Sequence, residues 1–262
     1  MTSADGTRIA VFGSGVGPPL VLVHGASADH TTFRVVGPML ARAFTVHAID
    51  RRGRGASGDG PAYSIEREFE DVAAVAGAVA ADADAPVGVF GHSYGGRCAL
   101  GAALLTDAIG HVISYEGAPA PPGASYRAPG AEDRVRDLLA VGDRDGALTA
   151  FLREVIGMSE VDLAAYRADP IWPVRAAAAG TILRELEAES EPAASLERLG
   201  AVVQPVTQLL GSESLPVFRD ATVALEERLA RGRIVVIDGA RHAAHHTHPD
   251  VVVRAVRESA HA

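Results

Sequence analysis

Short apolar runs alternate along the chain with longer amphipathic ones. That is the pattern of βαβ units building a mostly parallel sheet. Residues 20–23 are continuously apolar, as suits a strand buried on both faces. Residues 44–49, 87–90, 112–115, 206–210 and 234–237 read as further strands. An earlier strand is expected over residues 8–12, after an Asp5-Gly6 turn. Ser64 opens a long Ala-rich helix reaching about Asp84, and a second helix covers about 94–106. The tail from Pro249 reads as a closing helix with proline at its start. Between residues 116 and 199 the period changes. Pro and Gly cluster over 119–130, and helical segments at 132–139, 146–156, 161–167 and 171–189 follow without intervening strands. The predicted fold class is α/β, with a mostly parallel central sheet flanked by helices. Residues 1–117 and 201–262 form its core, and 118–200 form a helical insertion.

Composition narrows the choice of partner. A length of 262 residues suffices for one large α/β domain with a sizeable core. A formal charge of −9 leaves no excess of basic side chains to neutralise phosphates, so a nucleic-acid partner is not expected. Anionic membrane surfaces are disfavoured for the same reason. The single cysteine, Cys98, excludes an internal disulfide framework and a multi-cysteine metal site. It sits in an apolar run and reads as a small core residue. No run is apolar enough to span a membrane, and residues 1–6 lack the pattern of a secretory signal. A cytoplasmic location is therefore expected. The expected partner is a small-molecule substrate; no cofactor is implied, and oligomeric state leaves no mark on the sequence.

The clearest chemistry is Gly91-His92-Ser93-Tyr94-Gly95, a G-x-S-x-G pattern. A buried strand precedes it and a helix-forming run follows. That is the setting in which a serine on a sharp strand-to-helix turn is lifted clear of the sheet. The helix N-terminus beneath favours developing negative charge. Ser93 is thus the candidate nucleophile.

Four landmarks then resemble the α/β-hydrolase family, in order and across nearly the whole chain. Leu22-Val23-His24-Gly25-Ala26 resembles its strand followed by an HG-x loop. Asp50-Arg51-Arg52-Gly53-Arg54-Gly55 resembles its D-x-R-G-x-G loop. Gly91 to Gly96 resembles its elbow, and Gly239-Ala240-Arg241-His242 resembles the G-x-x-H that delivers a histidine. The resemblance implies His242 as general base. It also implies an oxyanion hole made by the backbone N–H groups of Ala26 and Tyr94. His245, His246 and His248 lie close to His242 and raise a zinc reading. No acidic ligand is paired with them, so loop residues are expected and no metal.

The acid that orients the imidazole is less plain. Most family members carry it in G-x-x-D after the penultimate strand. Here that stretch is Gly211-Ser212-Glu213-Ser214, so the expected position holds serine and Glu213 lies one residue early. The other candidate is Glu116, directly after the strand that follows the elbow helix. It resembles the glutamate of haloalkane dehalogenases and lies at a strand end where α/β sites form. Glu116 is the favoured reading and Glu213 the alternative. Dehalogenases and epoxide hydrolases carry aspartate at the elbow, so Ser93 points to acyl transfer instead.

The insertion falls where the family places its cap. Phe151, Met158, Tyr166, Ile171 and Trp172 are candidates for an apolar pocket wall, although apolar residues at helical spacing commonly pack a cap onto its core. Trp172 is singled out as substrate-binding because Asp169-Pro170-Ile171-Trp172-Pro173 breaks the helices. The expected activity is hydrolysis of a neutral, apolar carboxylic ester. Thioester, lactone or carbon–carbon hydrolysis, or cofactor-free perhydrolysis, would use the same triad. A non-catalytic member that only binds a small ligand is the alternative of another class.

Overall fold

The computed structural model describes residues 1–260. Its strands are β1 Val11–Ser14, β2 Pro19–Val23, β3 Thr45–Ile49, β4 Val87–His92, β5 Ile109–Tyr115, β6 Val206–Gly211 and β7 Gly232–Ile237. They form one sheet in the order β1-β3-β2-β4-β5-β6-β7. Neighbours pair in parallel except β1, which runs antiparallel to β3 at the edge. Flanking helices α1 (Val36–Leu40), α2 (Ile65–Ala83) and α3 (Tyr94–Ala103) precede β5. Between β5 and β6 lie α4 (Ala131–Ala140), α5 (Arg144–Glu154), α6 (Glu160–Arg167), α7 (Trp172–Ala177), α8 (Ile182–Ala188) and α9 (Leu196–Leu199). The chain continues through α10 (Pro216–Glu226), α11 (Ala244–Thr247) and α12 (Pro249–Ser259).

Alternation along β2 builds both layers. Val21 and Val23 face α2 and α3, packing with Val72, Val75 and Cys98. Leu20 and Leu22 face the other side, against Val36, Leu40, Val252 and Val256 of α1 and α12. Every residue of β2 is buried, and each such Val or Leu contributes about 1.5–3 kcal/mol. A third apolar cluster joins α4, α5, α6, α7 and α8 through Val135, Leu148, Phe151, Leu163, Trp172 and Ile182. Ala26 and Tyr126 pack against both this cluster and the α2/α3 layer, marking the seam between sheet and inserted helices.

Some expected elements shift. The first strand begins at Val11, not at residue 8, because Ile9 instead donates its N–H to Met1 O at 2.8 Å. The single helix expected over 171–189 is two helices joined by a 3-10 turn over Ala178–Thr181, where Gly180 weakens the helix. Helix α10, with Pro216 in its first turn, is an element that the apolar pattern did not single out. Helix α2 runs as expected: Ser64 accepts from Arg67 N, Glu66 and Glu68 occupy the first turn, and Asp84 ends it in a left-handed conformation. Among the described residues, no helix is long and apolar enough to cross a membrane.

Candidate active site

Ser93 lies between β4 and α3 with φ 55° and ψ −124°, a conformation that costs a non-glycine residue about 1–3 kcal/mol. Its surroundings over-determine it. Ser93 N donates to Tyr115 O at 2.7 Å, and Ser93 O accepts from Gly96 N at 2.8 Å. Glycine is required on either side. A Cβ on Gly91 would stand 2.3 Å from Gly95 O, and one on Gly95 would stand 2.3 Å from Val23 O.

His242 arrives in the loop after β7. The residues next to Ser93 and Glu116 hold that loop. His92 Nε2 donates to His242 O at 2.8 Å. The Tyr115 hydroxyl donates to Arg241 O and accepts from Ala244 N at 3.1 Å. The His242 ring then meets Glu116, with Nδ1 2.5 Å from Oε2. The Glu116 side chain is wholly buried, and its other oxygen accepts from Gly211 N (2.8 Å) and Ser214 Oγ (2.5 Å). With Nδ1–H donated to the carboxylate, Nε2 is left as an acceptor. It is buried and has no partner among the described residues. Phe218 of α10 stacks on the ring, centroids 4.5 Å apart. Glu213 lies elsewhere: it is 55 % exposed and 3.5 Å from Arg241.

Two backbone amides belong to residues that border the same cavity as Ser93. His24 Nδ1 donates to Gly25 O at 2.9 Å, and its Nε2 accepts from Arg51 N at 3.0 Å. Burial, reinforced by the Arg51 charge, pushes the His24 pKa well down, which keeps the ring neutral and able to accept. The Gly25–Ala26 peptide is trans, so the Ala26 N–H points opposite to the anchored carbonyl. Ala26 and Tyr94 line one cavity with Ser93, Glu116 and Phe218. Neither amide N–H donates to a protein acceptor among the described residues.

The inserted helices contribute Phe151, Val155, Ile156, Ile182 and Leu186 to the wall of that cavity, a partly open space of about 30 Å³. Its charged wall groups are already paired: Arg97 Nη1 lies 3.2 Å from Glu189, and Glu185 meets Arg51 at 2.5 Å. Of the residues expected to line it from the insertion, Phe151 does so. Trp172 corrects the expectation. It is 6 % exposed and packs inside the helical cluster, with Nε1 donating to Asp145 Oδ1 at 2.5 Å and Tyr166 meeting its ring edge-on. Pro173 places Trp172 at the start of α7, facing α5 and not the cavity. Met158, Tyr166 and Ile171 also lie outside the wall.

His245 is buried against His92, with ring centroids 4.3 Å apart, and His246 packs on His245 at the same distance. His248 pairs with Thr247. The one group of metal-type ligands that converges among the described residues is Asp29, His30 and Asp50. It does not suit a cation. Asp50 already accepts from His30 N, His30 Nδ1 and Ala56 N, and Asp29 pairs with Arg175 at 2.7 Å.

Ser214, Phe218, His92 and Tyr115 shape the site without having been singled out from the sequence. His92 and Tyr115 carried a signal, since each directly precedes a candidate catalytic residue. Ser214 and Phe218 carried none before the strand order was known.

Comparisons with known proteins bear on the family and the fold. The sequence matches the Alpha/beta hydrolase family over residues 20–255. An alpha/beta hydrolase from Sphaerobacter thermophilus DSM 20745 is 32% identical, with 99% of this chain and 98% of that chain covered and a TM-score of 0.82. An esterase from Rhodococcus sp. ECU1013 is 25% identical, with 98% and 96% covered and a TM-score of 0.76. The probable oxidoreductase EphD of Mycobacterium tuberculosis (strain ATCC 25618 / H37Rv) is 38% identical over 98 residues, which are 36% of this chain and span only 16% of that protein. With a family match over most of its length and this sheet order, the chain belongs to the alpha/beta hydrolase family.

Proposed function

We propose that the protein is a serine hydrolase that cleaves neutral carboxylic esters through an acyl-enzyme on Ser93. The observation that carries this reading is the 2.5 Å contact of Glu116 with His242 Nδ1, which leaves Nε2 without a partner among the described residues, while Glu116 and Ser93 line one cavity. In the reaction, Ser93 Oγ attacks the ester carbonyl as His242 Nε2 accepts its proton, and Glu116 stabilises the imidazolium. The tetrahedral oxyanion is held by the N–H groups of Ala26 and Tyr94. Collapse expels the alcohol, which takes the proton from His242, and leaves the acyl group on Ser93. A water then repeats the sequence and releases the acid. The inserted helices act as a cap that keeps the acyl group dry. Internally paired wall charges and apolar neighbours favour a neutral substrate. The small volume of the space favours a short acyl chain.

The test is a series of p-nitrophenyl esters from acetate to decanoate, run beside thioesters and lactones. The expected order has short acyl chains turned over fastest. Ser93→Ala should reduce turnover by roughly three or more orders of magnitude while the protein stays folded. Near-normal ester turnover by folded Ser93→Ala would falsify the reading.

A further inference from the structure

Beneath the two proposed oxyanion donors lies a buried group of charges that the reaction above does not use. Arg51, in the loop after β3, is 1 % exposed. Its Nη1 donates to Glu68 Oε1 of α2 at 2.8 Å, and its Nη2 to Glu185 Oε1 of α8 at 2.5 Å. The same Nη2 lies 3.1 Å from Gly25 O and donates to it. The guanidinium also stands over the Tyr94 ring, 4.7 Å from its centroid. The Tyr94 hydroxyl pairs at 2.9 Å with that of Tyr63, which donates to Glu68 at 3.0 Å.

We propose that Arg51, gripped by Glu68 and by the cap residue Glu185, is a positioning residue for both oxyanion donors, so that seating of α8 completes the oxyanion hole. The proposal rests on the serine-hydrolase reading. Its physical basis is rigidity in a dry interior. The Gly25 carbonyl cannot turn without losing a charge-assisted hydrogen bond, and the Ala26 N–H is fixed opposite to it. Tyr94 is fixed through its ring, which lies under the guanidinium, and through its hydroxyl, which Tyr63 links to the carboxylate that holds Arg51. Glu185 is 134 residues from Arg51 in sequence and is brought to it by α8 of the insertion. Glu185 supplies one of the two carboxylates that fix the guanidinium. Its loss leaves Arg51 with Glu68 alone and a looser hold on Gly25.

The test uses Glu185→Gln, which is near-isosteric, and Arg51→Lys, which keeps the charge but removes the forked donor, in the full protein. Four quantities are read: kcat and KM on the best ester, inhibition by a trifluoromethyl ketone, which forms an oxyanion adduct on serine, and binding of the matching methyl ketone, which forms none. For Glu185→Gln, kcat should fall about tenfold, less than the loss from deleting an oxyanion donor outright. KM should stay within about threefold. The trifluoromethyl ketone should weaken by the same factor as kcat, and the methyl ketone should bind unchanged. A lowered melting temperature with wild-type kcat and wild-type trifluoromethyl ketone affinity would make the cluster a cap anchor only and overturn the proposal. Equal weakening of both ketones would mean that Glu185 acts only through the cavity wall that it lines, and would overturn it too. If Glu185→Gln does not fold, Arg51→Lys decides by the same readouts. Failure of the underlying reading looks different: wild-type protein would then react with neither ester nor trifluoromethyl ketone, and the positioning role would fall with it.

Discussion

The backbone of Glu116 is left-handed, with φ 49°, which is uncommon for any side chain beyond glycine, asparagine and aspartate. That turn sends its carboxylate to the end of β6, the strand next to its own. There Gly211 N and Ser214 Oγ occupy one oxygen and His242 the other. Three consequences are measurable. Glu116→Gln should lower kcat by roughly 10³-fold to 10⁴-fold, because an amide supports neither the right tautomer nor the imidazolium. Ser214→Ala should lower it about tenfold by loosening the carboxylate, and Glu213→Gln should leave it within about twofold. Steady-state kinetics on one ester separates the three, and a larger loss from Glu213→Gln than from Glu116→Gln would reverse the assignment. Ser93 was legible in the sequence because its signal is local: a strand, two glycines and a helix start. The role of Ser214 was not. Serine in the register where the family keeps its acid looked like a disqualification. In the fold it donates to a carboxylate 98 residues away, a neighbour that only the β5–β6 pairing reveals.

Long amphipathic elements could be read well, and interruptions could not. Helix α2 has its cap, acidic first turn and apolar face written into consecutive residues. The α7–α8 pair has the apolar content of one helix, and only the weak propensity of Gly180 marks the break. Trp172 was misread for a related reason. A helix-breaking Asp-Pro-Ile-Trp-Pro suggests a projecting ring, but the break turns the ring inward, where Asp145 takes its N–H and Arg167 stands 5.2 Å from its centroid. Trp172→Ala should therefore act on stability. Removing so large a buried side chain costs about 3–5 kcal/mol. Thermal melts should show a clear drop, or an early separate transition of the inserted helices. KM measured well below that transition should stay within about twofold. A large rise in KM with an unchanged melt would return Trp172 to the substrate pocket.

At the scale of the molecule, burial of basic groups is the recurrent device. All 24 basic side chains are arginine, and Arg51, Arg52, Arg54 and Arg175 are among the most completely buried large residues. Arginine suits this role because its charge is permanent, weakly hydrated and matched to carboxylates, as in the two-pronged Arg52–Asp71 pair at 2.7 Å. Histidine gives the opposite behaviour. Burial holds His24, His92 and His245 well below the ordinary value of 6.5 and pushes His246 down to about 4, with neighbouring positive groups adding to the effect. Below about pH 6.5 the unfolded chain therefore binds protons that the folded chain refuses. Stability should be full above that pH and decline steadily as the pH drops toward 4. Thermal melts from pH 7.5 to 4.5 test this, and His245→Gln should flatten the decline; a melting temperature independent of pH over that range would contradict it. The seat of Glu116 has a longer-range consequence. Positions 116 and 214 reach the same point from neighbouring strands, already 2.5 Å apart. A carboxylate at position 214 would stand where Glu116 Oε1 now sits, so the turn after β6 and the end of β5 are two routes by which one charge can reach the imidazole.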